Sequence, residues 1–315
     1  MLKSNTDITR TTYKESINLT IGLVFSKCDL DCEYCQNRVE YNNDLYTHLE
    51  DTYQSVKKYI ENYSHNTINI TYNGTEMFNS RFDKHTQDTI CDYFQKIDTI
   101  IRDKNIEPSY TIVTNLMAND YGLVCLNYLK YRYCVRIITS YDMVGRFTDQ
   151  EEERFLHNLE KLGVDSIYIV AHKKNIEYLY NKKGLDTWNY LYNTYNIELL
   201  DYIDIGVSGY SVSETDVVEF YKWLYDYYPK IVRKYLDNVT NFYEDCSNCV
   251  EIVGKDIVYK RCNISDKYQN FVEKFGCFYC KYFGNCCRPC VCSTKDVCLY
   301  REVRNYVEKS NSYTD

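Results

Sequence analysis

Six short apolar, β-branched runs separated by amphipathic segments constrain this 315-residue chain more than any other feature. The runs are INLTIGLVF (17–25), TINITY (67–72), SYTIVT (109–114), CVRIIT (134–139), SIYIVA (166–171) and YIDIGV (202–207). Between them lie segments with apolar residues at helical spacing. LYTHLEDTYQSVKKYIENY (45–63) is one; RFLHNLEKLG (154–163) is another, with Gly163 as a helix stop. Such alternation implies a parallel sheet with helical crossovers. Six strands suit a partial or complete α/β barrel, whose reactive groups gather at the C-terminal strand ends. A further helix is expected over 213–236, broken at Pro229, and a closing helix in VCLYREVRNYVEK (297–309).

Cysteine usage adds the chemistry. Of the 16 cysteines, three lie at Cys28, Cys32 and Cys35, and ten lie between Cys246 and Cys298. The N-terminus has no apolar signal region and no apolar run is long enough to span a bilayer, so the chain reads as cytoplasmic. Clustered cysteines in that setting imply metal or redox chemistry rather than disulfides. Cys91, Cys125 and Cys134, scattered through periodic segments, read as small buried hydrophobes. The net charge of −8 argues against nucleic acid as a partner. The 36 tyrosines accompany abundant Asn, Ile, Lys and Asp, which points to compositional bias rather than an aromatic binding stripe.

Cys28, Cys32 and Cys35 follow the first strand directly, in CDLDCEYC. Three thiolates can hold three irons of a 4Fe–4S cube and leave the fourth iron open to chelate a small molecule. A zinc site missing a fourth ligand, or a four-cysteine cluster completed from elsewhere, is the alternative. After Asn238 the periodicity stops and few branched aliphatic residues remain, so bound metal would have to stabilise that segment. Two zinc knuckles are the alternative there.

The CxxxCxxC spacing with Tyr34 before the last cysteine resembles the radical S-adenosylmethionine (SAM) signature. The resemblance implies that the open iron binds the amino and carboxylate groups of SAM, with Tyr34 beside the adenine. TYNGTEM (71–77) resembles the family's Gly-Gly-Glu-Pro stretch for the methionyl amino group. Gly74 and Glu76 match, Asn73 or Thr75 stands at the other glycine, and Met77 replaces the proline. Thr114 and Asn115 resemble the family's Thr-Asn, and Ser140 with Asp142 its Ser-x-Asp, where the serine meets the ribose or carboxylate. Arg154, or Arg146, would pair the SAM carboxylate.

The C-terminal cysteines, above all CFYCKYFGNCCRPC (277–290), resemble the SPASM domain, a two-cluster extension of peptide-modifying radical SAM enzymes. The resemblance implies a first auxiliary 4Fe–4S cluster on Cys246, Cys249, Cys262 and Cys290. A second would sit on Cys277, Cys280, Cys286 and Cys298, leaving Cys287 and Cys292 spare. GKDIVYKRC is expected to form a hairpin at Gly254 that presents Cys262. The expected organisation is an extension (1–15), a partial (β/α)6 radical SAM barrel (16–238), a SPASM domain (239–301) and a helix end with tail (302–315).

The resemblance implies three clusters, SAM as cofactor, a peptide substrate with a leader and an external one-electron donor of flavodoxin or ferredoxin type. Oxidative cross-linking of a ribosomal peptide, thioether or carbon–carbon, ranks first. Epimerisation and sulfatase-type formylglycine formation are the alternatives, and the chain looks short for the latter. A non-catalytic zinc or cluster scaffold is the rival from another class. Only 27 residues precede Cys28, which leaves leader recognition to an edge strand or a separate leader-binding protein.

Overall fold

The computed structural model describes residues 17–24, 28–35, 44–142, 144–180, 182–201, 209–237, 249–260, 274–275, 279–282 and 297–312. Its centre is one sheet of β1 (Ile17–Leu23), β2 (Thr67–Gly74), β3 (Glu107–Thr114), β4 (Arg136–Ser140), β5 (Ser166–Ala171), β6 (Ile197–Asp201), β7 (Cys249–Val253) and β8 (Asp256–Lys260). The strand order is β6-β5-β4-β3-β2-β1-β7-β8. Neighbours pair in parallel from β6 through β1 to β7, and β7 pairs antiparallel with β8. The crossovers are α1 (Leu45–Glu61), α2 (Lys84–Arg102), α3 (Asp120–Tyr133), α4 (Asp149–Leu162), α5 (Lys173–Leu179) and α6 (Lys182–Thr194). After β6 come α7 (Glu214–Tyr227) and α8 (Pro229–Asp237), separated at Tyr228 as Pro229 requires, and finally α9 (Leu299–Asn311). No helix among the described residues is long and apolar enough to cross a membrane.

The core lies between the sheet and the helices. Ile68, Ile70 and Tyr72 of β2 and Tyr110 and Ile112 of β3 are buried against Ile90, Phe94, Ile97 and Ile101 of α2. The Phe94 ring sits 5.0 Å from Tyr72 and 4.8 Å from Tyr110. Each such side chain removed from water contributes about 1.5–3 kcal/mol. Tyr72 and Tyr110 thus serve as core aromatics. Helix starts are fixed by side-chain caps: Asp44, Asp83 and Asn119 accept from their own first turns, and Thr148 with Glu151 forms a capping box on α4.

The other face of the central strands is polar. The register puts Asn18, Asn69 and Ser109 in one row across β1, β2 and β3, and Thr20, Thr71 and Thr111 in the next, all partly or fully exposed. A parallel sheet is ordinarily apolar on both faces. This one keeps an open polar face along the N-terminal and middle parts of β1 to β3.

Two expectations need correction, and a third lies outside the described residues. The sixth strand is IELLD at 197–201, five residues upstream of YIDIGV, whose residues 202–207 lie outside the described ones. Its position is set by β5, against which Ile197 to Asp201 pair one-to-one with Ile167 to Ala171. The GKD turn does form a hairpin with Gly254 at φ 55°, but the hairpin extends the main sheet by pairing β7 with β1. Finally, Cys125 is buried and Cys91 half-buried, whereas Cys134 is exposed. It ends α3 in the left-handed conformation (φ 54°), which turns its side chain to solvent.

Candidate functional site

The loop that carries Cys28, Cys32 and Cys35 leaves the C-terminal end of β1 and is tied down at both ends. At its start, Asp29 accepts from Ser80 N (3.1 Å) and Ser80 Oγ (2.5 Å), while Arg81 Nη2 donates to Cys28 O (3.1 Å). Asn115 Nδ2 donates to Cys28 Sγ at 3.2 Å. The loops after β2 and β3 thus hold the first cysteine. Gly74 makes the approach: at φ 131°, a Cβ there would lie 2.5 Å from Leu23 O. Thr75 closes the same junction, with its N and Oγ1 both donating to Leu23 O.

At the far end the loop is held by the strands beyond. Tyr34, 6% exposed, donates its hydroxyl to Asp142, and its ring lies 4.9 Å from His172 and 5.4 Å from Tyr210. Asp142 also accepts from Arg146 Nη1 (3.3 Å), Val170 N (3.0 Å) and Asn175 Nδ2 (3.1 Å). Glu33 N donates to Gly145 O, and the Glu33 carboxylate receives Tyr210 OH (2.5 Å) and Lys174 Nζ (3.1 Å). Two buried donors have no partner among the described residues, Arg146 Nε and His172 Nε2.

Glu76 is the electrostatic anomaly of the site. Its carboxylate is 3% exposed and accepts from Asn115 N (2.6 Å), Thr114 Oγ1 (2.9 Å) and Phe78 N (3.2 Å). None of these donors carries a charge, and burial pushes the carboxyl up to about 7 against their pull. A buried anion of this kind is stabilised chiefly by a cation. A cleft of about 680 Å³ opens at Cys28, with Asp29, Ser80, Arg81, Met117 and Arg154 in its lining.

The residues named from sequence fall into three groups. Cys28, Glu76, Thr114 and Asn115 are brought into contact, and Arg154 lines the cleft with Cys28 while donating to Ala118 O. Tyr34 belongs to the Asp142 network, and Ser140 ends β4 half-buried. Asn73 is exposed and only accepts from Gly74 N, and Thr75 is committed to Leu23. The Asp29–Ser80–Arg81 clamp and the His172–Tyr210–Lys174–Glu33 cluster were missed by sequence reasoning. Asp29 and Glu33 inside the cysteine motif were the available signal.

Of the C-terminal cysteines, Cys246, Cys262, Cys277, Cys286, Cys287, Cys290 and Cys292 lie outside the described residues. Cys249 begins β7 opposite Asn18, about 17 Å down the strand from the cluster-loop end. Cys298 is the buried N-cap of α9. Cys280 precedes Tyr282, whose hydroxyl donates to Asn305 and whose ring meets Tyr300 at 6.0 Å, so its segment docks on the same helix.

Among the described residues no group of three His, Cys, Asp or Glu closes on a single metal ion. Three cysteines that serve a cubane bind three different irons, so they need not converge on one point. The site does fit a cluster with an aminoacyl ligand. Burial pushes the Cys32 thiol up to about 11, opposed by Arg146, and the charges of Cys28 and Cys35 reach it. Such a thiol sheds its proton to metal rather than to water. Asn115 is already aimed at Cys28 sulfur, and the donors that Glu76 meets among the described residues are all neutral.

No protein-family model and no curated protein matches the sequence. Solved structures do match. Native anSMEcpe, an anaerobic sulfatase-maturating radical SAM/SPASM enzyme, with bound AdoMet and Cp18Cys peptide superposes with a TM-score of 0.61 at 16% identity. The match covers 95% of this chain and 98% of that one. With the Kp18Cys peptide the same protein gives 0.60, covering 95% and 99%. Streptococcus suis SuiB bound to precursor peptide SuiA gives 0.50 at 15% identity, covering 78% of this chain and 59% of SuiB. The near-complete coverage of anSMEcpe corrects the expectation that this chain is short for a sulfatase-type maturase. The fold of this chain is that of the radical SAM/SPASM enzymes.

Proposed function

We propose that the protein is a radical SAM enzyme that oxidises a side chain of a ribosomally made peptide. One SAM-binding 4Fe–4S cluster would sit on Cys28, Cys32 and Cys35, and two auxiliary 4Fe–4S clusters on the C-terminal cysteines. The observation that carries the proposal is Glu76, a buried carboxylate whose hydrogen-bond donors among the described residues are all neutral, joined through Asn115 to the first cysteine of the loop. An α-ammonium supplies the missing charge, and SAM carries one. Arg154, on the same cleft, pairs the accompanying carboxylate, since Arg146 is committed to Asp142. Bound there, the cluster and SAM together supply a 5′-deoxyadenosyl radical able to take an unactivated hydrogen atom.

The remaining work falls to the chain. Tyr34, Asp142, Arg146 and the Glu33–Lys174–Tyr210 contacts hold the loop rigid, so that the reacting atoms keep their spacing. The polar rows of β1 to β3 give an extended peptide hydrogen-bonding partners across the open face of the sheet. Loss of one hydrogen atom, then of one electron and one proton, leaves the peptide oxidised by two electrons. The C-terminal cysteines would hold the acceptors for the second electron, and a flavodoxin- or ferredoxin-type donor would supply the first. The edge strand β8, or a separate protein, would recognise the leader.

Oxidative cross-linking remains the first reading of the bond made. Formylglycine formation is the second, favoured by the likeness over nearly the whole of anSMEcpe. The test is reconstituted protein with SAM, reductant and two peptides: one encoded beside the gene, and one carrying a sulfatase-type cysteine motif. Loss of two hydrogens with sulfur retained in the first peptide supports cross-linking. Replacement of cysteine sulfur by a carbonyl oxygen in the second supports maturation. Turnover of neither, alongside abundant SAM cleavage, would rule out both peptide classes.

A further inference from the structure

Asn115 stands between the two halves of the site, and its own orientation is fixed. Its backbone N donates to Glu76 Oε2 at 2.6 Å, and its side-chain Oδ1 accepts from Met117 N at 2.7 Å. With the oxygen engaged, the amide nitrogen is the atom that faces Cys28 Sγ, at 3.2 Å. The next residue, Leu116, is fully buried with φ at 60°, a left-handed conformation that strains a branched side chain. The turn is kept in that state by Leu116 N donating to Thr114 Oγ1 (3.1 Å) and Asn158 Nδ2 donating to Leu116 O (2.7 Å). A strained, over-determined turn here delivers one N–H to one sulfur.

We infer that Asn115 is a positioning residue that sets the reduction potential of the SAM-binding cluster through its hydrogen bond to Cys28 sulfur. The inference rests on the proposed role of Cys28 as a cluster ligand. An N–H donor stabilises negative charge on a thiolate, and the reduced cluster carries one more negative charge than the oxidised one. The bond therefore favours reduction. Because the donor's backbone is anchored on Glu76, the same turn links the ammonium-binding carboxylate to the cluster sulfur.

Asn115→Asp separates tuning from turn-building. The carboxylate keeps an oxygen for Met117 N and the volume of the side chain, but it presents no donor to sulfur and adds a negative charge. The test is a redox titration of full-length, iron-loaded protein, followed by electron paramagnetic resonance. The signal that changes on adding SAM identifies the cluster at Cys28, Cys32 and Cys35. The expected result is a reduced-to-oxidised ratio that falls at least about tenfold at a given potential, a downward shift of about 59 mV for one electron. Asn115→Leu should shift the same way by less, since it removes the donor without adding charge.

An iron-replete Asn115→Asp protein with an unmoved midpoint overturns the inference. If neither variant loads iron, wild-type protein labelled with 15N-asparagine decides. A nitrogen hyperfine coupling on the SAM-responsive signal supports the bond, and its absence overturns it. Failure of wild-type protein to bind iron at the three cysteines is a separate outcome. It removes the proposed function, and this inference with it.

Discussion

Replacing Glu76 by glutamine removes the charge while keeping the shape of a buried acidic group of the site. In the ligand-free protein the carboxylate meets three neutral donors, Asn115 N, Thr114 Oγ1 and Phe78 N. An ammonium about 4 Å away in an environment of effective dielectric about 20 is worth about 4 kcal/mol, before desolvation of the ligand is subtracted. A net loss of about 2–3 kcal/mol follows, roughly 30- to 150-fold in SAM affinity. The amide also turns one donor toward another, because its nitrogen must face either Asn115 N or the Thr114 and Phe78 donors. That mismatch costs about 1–3 kcal/mol of stability. Anaerobic equilibrium dialysis with radiolabelled SAM measures the first effect and urea unfolding the second, on samples of matched iron content. A Glu76→Gln protein with normal iron and wild-type SAM affinity would refute the assignment of Glu76 to the ammonium.

The titration of the same group gives a second test. With the carboxyl pushed up to about 7, ligand-free protein must lose a proton to bind an ammonium in acid solution. SAM affinity should fall about tenfold per unit below about pH 7 and level off above about pH 8. Glu76→Gln should flatten that slope. Gly74→Ala should cost at least about 2 kcal/mol in urea unfolding, since φ is 131° and the new Cβ would meet Leu23 O at 2.5 Å. Cys280→Ala, if folded by circular dichroism, should still yield 5′-deoxyadenosine but lose most modified peptide. Full product yield from that variant would make the C-terminal cysteines structural and remove the main support for an oxidative reaction.

The fold was legible because parallel strands and their crossovers write two different periods into the sequence. Five of the six runs became β1 to β5, and Gly163 and Pro229 ended or broke helices as their backbones demand. IELLD pairs with β5 through partners that periodicity does not encode, and YIDIGV, which carries the expected pattern, lies outside the described residues. The pairing of β7 with β1 was invisible for the same reason, since it joins segments more than two hundred residues apart.

At the site, motif spacing identified residue types better than their partners. Glu76, Thr114 and Asn115 were named one by one on successive strands, and the structure joins them into a single hydrogen-bonded unit with Cys28. Thr75 shows the limit. A hydroxyl beside a motif carboxylate looks like a ligand contact, yet Leu23 O takes it. The clamp of Asp29 on Ser80 bridges 51 positions of sequence, so no local pattern could announce it.

The central claim is that Cys28, Cys32 and Cys35 support reductive cleavage of SAM. The direct measurement is 5′-deoxyadenosine formed by anaerobically reconstituted protein with SAM and dithionite, beside a Cys28/Cys32/Cys35→Ala variant. The expected result is 5′-deoxyadenosine from the wild type, with about twelve iron per chain, and none from the variant, with about four fewer. Tightly held zinc, no iron uptake and no 5′-deoxyadenosine from the wild type would contradict it and leave a metal-bound scaffold in its place.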